Sequence, residues 1–257
     1  MANFPHPVPA PEVLAPAHVR RLRLRLADGA ETTLHVATYA PARTALRVVR
    51  LRRQEPLAAF CARRGLSDAL VGGFYVRPSG APLGELRTRG LARGHVPFDA
   101  PWGDVRACLH VQGASVVVDR RDRLPAEPRG DLLQAGPLLV HGGSVVLGDE
   151  EGFRAGAGQF DSDITDGRHP RAALGVAPDR LLAVACDGRA GDEAGLTLVE
   201  LAEALVALGA RSALNLDGGG STSLVCGGEL VNVPREQHGH ALEGGRAITS
   251  AVVFAPR

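Results

Sequence analysis

The sequence predicts an α+β fold with a mixed, strand-rich sheet core and two to three helices, in one domain over residues 21–257 behind an irregular arm, residues 1–20. Three observations lead there. Arg21-Leu22-Arg23-Leu24-Arg25-Leu26 alternates strictly, the period of a strand with one buried face. Short apolar runs bounded by Gly and Pro recur along the chain, as strands joined by turns do. Thr197–Leu208 carries the 3.6-residue apolar stripe of a helix, with a signal at each end.

Taken in order, the Pro-rich stretch Met1–Ala17 has no periodicity. The alternating strand from Arg21 ends at Asp28-Gly29, a turn pair, and Thr32–Tyr39 and Thr44–Leu51 follow as strands. Pro56–Arg64 reads as a short helix, with Pro in its first turn and Gly65 beyond its end. Leu66–Val76 returns to strand character, broken at Gly72-Gly73. The middle, about 80–165, is richer in Gly and Pro and holds short strands at Ala114–Asp119 and Leu138–Val140. Arg171–Val176 and Leu181–Ala185 are consecutive strands. In the helix Thr197–Leu208, Thr197 and Glu200 have capping-box spacing, Leu198, Leu201, Leu205 and Leu208 form the stripe, and Gly209 closes it. Strands at 211–216, 221–226 and 246–254 complete the chain.

Composition narrows the function classes. A chain of 257 residues, 45% hydrophobic, buries a sizeable core. A net charge of +1 carries neither a nucleic-acid nor a membrane footprint, and all 29 basic residues are Arg, a bias of the kind a high-GC genome imposes. The start of the chain lacks the basic and apolar regions of a secretion signal, and no apolar run reaches membrane-spanning length, so a soluble cytoplasmic protein is expected. Cys61, Cys108, Cys186 and Cys226 are scattered; Cys186 and Cys226 sit in apolar runs as small buried hydrophobes, and neither a disulfide framework nor a metal-ligand spacing is implied.

The chemistry concentrates at Asn215-Leu216-Asp217-Gly218-Gly219-Gly220-Ser221-Thr222, between two apolar runs. Three successive glycines mark a backbone that bends sharply or approaches a ligand, and their N–H groups can form an anion nest. Strand alternation puts Asn215 and Asp217 on one side and Leu214 and Leu216 on the other, toward the core. A tight turn with a solvated Asp fits the same residues. The segment is no Walker loop, since Gly-Lys-Ser/Thr is absent. A second polar strand end, Asp187-Gly188-Arg189, is either an ion pair capping a turn or a partner carboxylate converging on Asp217, with Arg189 beside it. Arg171 opens a strand, solvated or aimed at a phosphate. His169 reads as a turn residue, and His238 and His240 line a site or lie exposed. No nucleophile–histidine triad is recognisable.

These residues resemble the phosphodiester glycosidase family. Ala213–Thr222 is similar to the family's signature, Arg171-Ala172-Ala173-Leu174-Gly175-Val176 to its Arg-x-Ala-x-Gly strand, and Asp187-Gly188-Arg189 to its Asp-Gly-Arg turn. Gly195-Leu196-Thr197 with Glu200-Leu201-Ala202, the element Gly136-Pro137-Leu138-Leu139, Gly72-Gly73-Phe74-Tyr75 and Arg246 extend the resemblance from about residue 66 to the C-terminus. One position departs: Val71 stands where the family usually has Asn before Gly-Gly-Phe, which puts sugar contact or activity in question if that Asn touches the sugar. A family member works in the secretory pathway, whereas this chain is expected to meet a cytoplasmic substrate.

The resemblance implies hydrolysis of a sugar-1-phosphodiester at the anomeric C–O bond, releasing free sugar and a phosphomonoester. It implies Asp217 as nucleophile or base with Asp187 second, and Arg171 with the Gly218, Gly219 and Gly220 amides on the phosphate. Asn215, Ser221, Thr222, Gly72, Gly73 and Arg189 complete the substrate-binding set. The partner is a small sugar phosphodiester or nucleotide sugar, and no cofactor or metal is required. Two alternatives stay open: a non-catalytic sugar-phosphate or nucleotide-sugar binding protein, and a metal-dependent phosphodiesterase cutting P–O.

Overall fold

The computed structural model describes residues 18–100, 102–147 and 167–257. Of the arm expected over residues 1–20, residues 1–17 lie outside the described residues and the last three open the first strand. That strand, β1 (His18–Arg25), pairs with β2 (Glu31–Tyr39) through the Asp28-Gly29 turn, where Gly29 takes a φ of 86°. β3 (Thr44–Glu55) runs past its expected end, and α1 (Leu57–Arg64) follows, closed by Gly65 in the left-handed conformation.

Gly72-Gly73 divides β4 (Ala69–Val71) from β5 (Tyr75–Val76). The middle region forms β6 (Ala81–Pro82), β7 (Leu86–Thr88), β8 (Leu91–Ala92), the single turn α2 (Trp102–Val105), β9 (Ala107–Gln112), β10 (Ser115–Arg120), β11 (Asp131–Gln134), β12 (Leu138–His141) and β13 (Ser144–Val145). The last third forms β14 (Arg171–Val176), β15 (Leu181–Cys186), α3 (Leu198–Ala207), β16 (Ser212–Asn215), β17 (Leu224–Cys226), β18 (Glu229–Leu230) and β19 (Ile248–Pro256).

Among the described residues three main sheets result, where one mixed sheet was expected, and every pairing between named strands is antiparallel. The seven-stranded sheet runs β1-β2-β15-β14-β16-β12-β13, and the two five-stranded sheets run β18-β17-β4-β19-β3 and β10-β9-β11-β7-β8. The strand–helix–strand run β15-α3-β16 is what suggested a mixed sheet. It does carry β15 and β16 in the same direction, but β14 lies between them, antiparallel to both, so no parallel ladder forms.

The seven-stranded sheet is covered on both faces. Alternation sends Ala172, Leu174, Ala183, Ala185, Leu214 and Leu216 to one side, where they join Leu46, Val48, Leu70, Val252 and Phe254 of the second sheet in the larger core. Ala173, Leu182, Val184, Cys186 and Ala213 face the other side, against Leu198, Leu201, Ala202 and Leu205 of α3. Burial on both faces explains why β14–β16 read as unbroken apolar runs. The polar motifs Arg171, Asp187 and Asn215 fall at the ends of these strands, themselves buried. The Thr197–Glu200 capping box forms, and all four cysteines are buried and free.

Candidate active site

The glycine-rich signature follows β16. Its expected strand over 221–226 is shorter than read: Gly219–Ser221 is one turn of 3-10 helix, and the strand begins at Leu224. Glycine supplies the turn, with Gly219 at a φ of 58°. The preceding stretch is clamped by the neighbouring motifs. Asn215 N–H donates to Pro137 O at 3.1 Å and Asn215 O accepts from Gly136 N–H at 3.0 Å. Leu216 N–H donates to Ala172 O at 2.9 Å, and Asp217 N–H to Gly72 O at 3.0 Å. The Gly-Pro, Arg-x-Ala-x-Gly and Gly-Gly-Phe elements thus meet on one chain segment.

At that end of the sheet lies a cavity of about 170 Å³, lined by Phe74, Arg77, His169, Pro170, Arg171, Arg189, Asn215, Leu216, Asp217, Gly218, Gly219, Glu236, Gln237 and Arg246. Four guanidinium groups and two carboxylates share this small space. Burial pushes the Asp217 carboxyl up to about 6, against the pull of the Ser221 hydroxyl, Arg246, the Gly218 N–H and Arg77. Gly218 N–H donates to Asp217 Oδ1 at 2.9 Å. Ser221 Oγ lies beside the carboxylate without a hydrogen bond of good geometry.

The cations are held differently. Arg171, 2% exposed, donates from Nε to Leu196 O at 3.0 Å and from Nη2 to Gly167 O at 2.9 Å. Burial lowers it to about 10, with Arg189 acting in the same direction. Arg189 has a φ of 61° and donates to Arg235 O at 3.3 Å and to His169 Nδ1 at 3.4 Å. Arg246 is locked to both Glu236 oxygens; burial pulls the arginine down, but the glutamate outweighs it and raises it, and the arginine in turn lowers the glutamate. A Cβ on Gly220 would come within 3.0 Å of Glu236 Oε1 and 3.1 Å of Arg246 Nη2, so the bare glycine makes room for this pair.

Several expected site residues take other places. Asp187 does not line the cavity. It is 4% exposed, with Oδ2 2.8 Å from His35 Nε2 and Oδ1 accepting from Val233 N–H at 2.8 Å. The Asp187 carboxylate is thus engaged outside the cavity lining, where it joins β2 and the Val233 loop. Its neighbour Gly188 is required by packing, since a Cβ there would meet Gly195 Cα at 2.9 Å and Pro170 N at 2.9 Å.

The glycine nest is also largely used internally. Gly218 N–H serves Asp217, and Gly219 N–H donates to Pro170 O at 2.9 Å. Gly72 and Gly73 lie behind the cavity, where a Cβ on Gly72 would fall 2.4 Å from Ser250 Oγ. Ser221 and Thr222 are fully buried and outside the lining, and so is Val71, which packs in the larger core.

Arg77, Glu236 and Gln237 are cavity residues with no signal in the sequence, and His169, read as a turn residue, is a fourth. They come from loops whose approach only the folded chain decides. His238 and His240 are exposed and outside the lining, with Gln237 beside them turned to the cavity. Among the described residues no three His, Cys, Asp or Glu side chains converge as a metal-ligand set, and no helix is long and apolar enough to cross a membrane.

The phosphodiester glycosidase family model matches residues 65–255. Solved structures share the fold at low identity. The catalytic domain of zebrafish N-acetylglucosamine-1-phosphodiester α-N-acetylglucosaminidase, auto-inhibited by its pro-peptide, superposes with a TM-score of 0.73 at 19% identity, covering 94% of this chain and 83% of that one. A hypothetical protein from Synechocystis gives 0.64 at 20% identity, covering 93% of this chain and 62% of its own, so the chain spans less than two thirds of that neighbour. A protein described as exported from Burkholderia pseudomallei gives 0.60 at 18%, covering 89% and 74%. No curated protein sequence matches. The model match runs from the end of α1 through β19 and takes in every motif that meets at the cavity, and on that ground the chain belongs to the phosphodiester glycosidase family.

Proposed function

We propose that this chain hydrolyses a sugar-1-phosphodiester at the anomeric C–O bond, releasing free sugar and a phosphomonoester. The observation that carries the reading is Asp217, a carboxylate with a raised pKa, facing a cavity it shares with the guanidinium groups of Arg77, Arg171, Arg189 and Arg246. The family's members are hydrolases of this glycosidase type.

The chemistry follows from the leaving group. A phosphomonoester leaves far more readily than an alkoxide, so the site needs little general-acid help. As the C1–O bond breaks, its electron pair passes to the phosphate oxygen, and the added charge is met by the arginines. Arg246, held by Glu236, is preorganised for this, and the positive charges of Arg171 and Arg189, anchored on Leu196 O and Arg235 O, stand at the same cavity. Asp217 faces the oxocarbenium-like carbon, as nucleophile or as the base that takes a proton from water; water supplies the hydroxyl that ends on C1.

Val71 packs in the core and is not among the cavity-lining residues, which supports a site that works with Val at this position. The test is phosphorus and proton NMR of the protein with sugar-1-phosphodiesters, nucleotide sugars included, in oxygen-18 water. Label in the sugar, lost in Asp217→Asn, supports the reading. Label in the phosphate means P–O cleavage by a phosphodiesterase, and ligand broadening without turnover means a binding protein; either sinks it.

A further inference from the structure

We propose that Arg77 binds a second phosphate on the leaving side of the substrate, so that the chain prefers a sugar linked to its aglycone through a pyrophosphate over one linked through a single phosphate. This rests on the reading of Asp217 above.

Arg77 opens the turn of a short hairpin. Tyr75 and Val76 of β5 pair with Pro82 and Ala81 of β6, Gly80 N–H donates to Val76 O at 2.8 Å, and Ser79 Oγ donates to the same carbonyl at 3.2 Å. The turn is held by these bonds, while Arg77 itself is exposed and lines the cavity, which places it at the rim. The other three guanidinium groups of the lining are committed. Arg171 is tied to Leu196 O and Gly167 O, Arg189 to Arg235 O and His169 Nδ1, and Arg246 to Glu236. Arg77 makes no hydrogen bond and no ion pair with any described residue, so its planar set of donors is open to a ligand.

An exposed arginine is ordinarily just solvated. Arg77 differs in that its charge acts on both carboxylates of the cavity, Asp217 and Glu236, at each more weakly than that of Arg246. Because such interactions fall with distance, Arg246 stands nearer to Asp217 and Arg77 farther out. A substrate with Asp217 at its anomeric carbon presents its charges in that order. The phosphate on C1 meets Arg246 and its neighbours, and the next group along the aglycone comes out toward the rim. A guanidinium there selects an anion, and a second phosphate, one bridging oxygen beyond the first, supplies it.

The charge balance agrees. Among the described residues lining the cavity, four guanidinium groups face the carboxylates of Asp217 and Glu236, which leaves two positive charges with His169 neutral. A phosphodiester brings one negative charge and a pyrophosphate diester two, so the second compensates the site in full. The bond chemistry is the same. Water gives its hydroxyl to C1 and its other proton to Asp217 or solvent, the C1–O electron pair stays on the inner phosphate, and a diphosphate leaves.

The test uses two substrates that share sugar and nucleoside and differ by one phosphate, a nucleoside diphosphate sugar and the matching nucleoside monophosphate sugar. Each is assayed with wild type and Arg77→Gln, and comparing the two ratios cancels the difference in leaving groups. The wild-type preference for the diphosphate in kcat/KM is expected to exceed that of Arg77→Gln by on the order of ten- to a hundredfold. Calorimetry of both proteins with inert C-glycosyl analogues of the pair reads binding apart from turnover.

Equal ratios in the two proteins, with sugar released, overturn the proposal and leave the reaction standing. Tighter binding of the diphosphate analogue that Arg77→Gln loses, with no hydrolysis of either substrate, overturns the reaction and keeps the role of Arg77. Neither a binding preference nor hydrolysis overturns both. Should Arg77→Gln fail to fold, equal wild-type affinity for the two analogues overturns the proposal, and tighter binding of the diphosphate supports it.

Discussion

Asp217 N–H donates to the carbonyl of Gly72 at 3.0 Å, so two glycine-rich segments distant in sequence hold one carboxylate at the cavity. Gly72 in turn is pinned to β19, its N–H donating to Ser250 O at 2.9 Å, while Gly73 N–H donates to Ser250 Oγ at 3.0 Å. A Cβ on Gly72 would fall 2.6 Å from the Ser250 carbonyl carbon, a backbone atom that cannot swing away. Gly72→Ala is expected to cost about 1–3 kcal/mol in stability. It is also expected to lower kcat more than KM, because it displaces Asp217 and leaves the arginines in place. Denaturant unfolding with steady-state kinetics checks both.

Asp217→Asn is expected to lower kcat/KM by about 10³-fold or more with the fold intact by circular dichroism. In wild type, kcat/KM rises with pH with a midpoint at about 6, the ionisation of Asp217. A flat profile between about pH 5 and 7 argues against Asp217 as base or nucleophile.

The same carboxyl links stability to pH. Its pKa is about 6 in the fold against 3.8 unfolded, so the native state binds more protons between these values and stability falls as pH rises through the window. The loss, up to about 3 kcal/mol, is complete above about pH 6. Asn at 217 removes it. Thermal unfolding should show Asp217→Asn more stable than wild type at about pH 7.5, with the difference vanishing below about pH 4.

Asp187→Asn separates bracing from catalysis. Its carboxylate holds His35 Nε2 at 2.8 Å and the Val233 N–H at 2.8 Å outside the cavity lining. The expected result is a loss of about 1–3 kcal/mol in stability with activity reduced about tenfold or less. A loss of activity matching that of Asp217→Asn, at unchanged stability, would instead give Asp187 a direct part in the reaction.

Arg189→Ala is expected to raise KM by about ten- to a hundredfold for phosphodiesters, since a planar donor to phosphate is lost at the cavity wall. Thr197→Ala, which removes one half of the α3 capping box, is expected to cost about 1 kcal/mol and to lower kcat/KM by less than about tenfold, since it reaches the cavity only through the adjacent Leu196, whose carbonyl holds Arg171 Nε. Thermal melts and kinetics on the two variants keep binding and scaffold effects apart.

Much of the architecture was legible because it is local. The Arg-Leu alternation specified β1, the Asp28-Gly29 pair its turn, and Thr197, Glu200 and Gly209 the limits of α3, each through interactions within a few residues. The sheet order was not. Whether β14 lies between β15 and β16 depends on pairings that no local pattern encodes, and the expected mixed sheet became an antiparallel one for that reason.

The site divides the same way. The sequence raised Asp217, Arg171, Asn215 and Arg189 as candidates and the family resemblance made them site residues, because glycine runs and polar residues at the ends of apolar strands are visible one residue at a time. Only the tertiary structure drew Arg77, His169, Glu236 and Arg246 around Asp217, moved Asp187 behind the wall to His35, and spent the Gly218 and Gly219 amides on Asp217 and Pro170. A side chain's residue type is a property of the chain, whereas its neighbours, and hence its charge state and its free hydrogen-bonding atoms, exist only once distant segments have packed against each other.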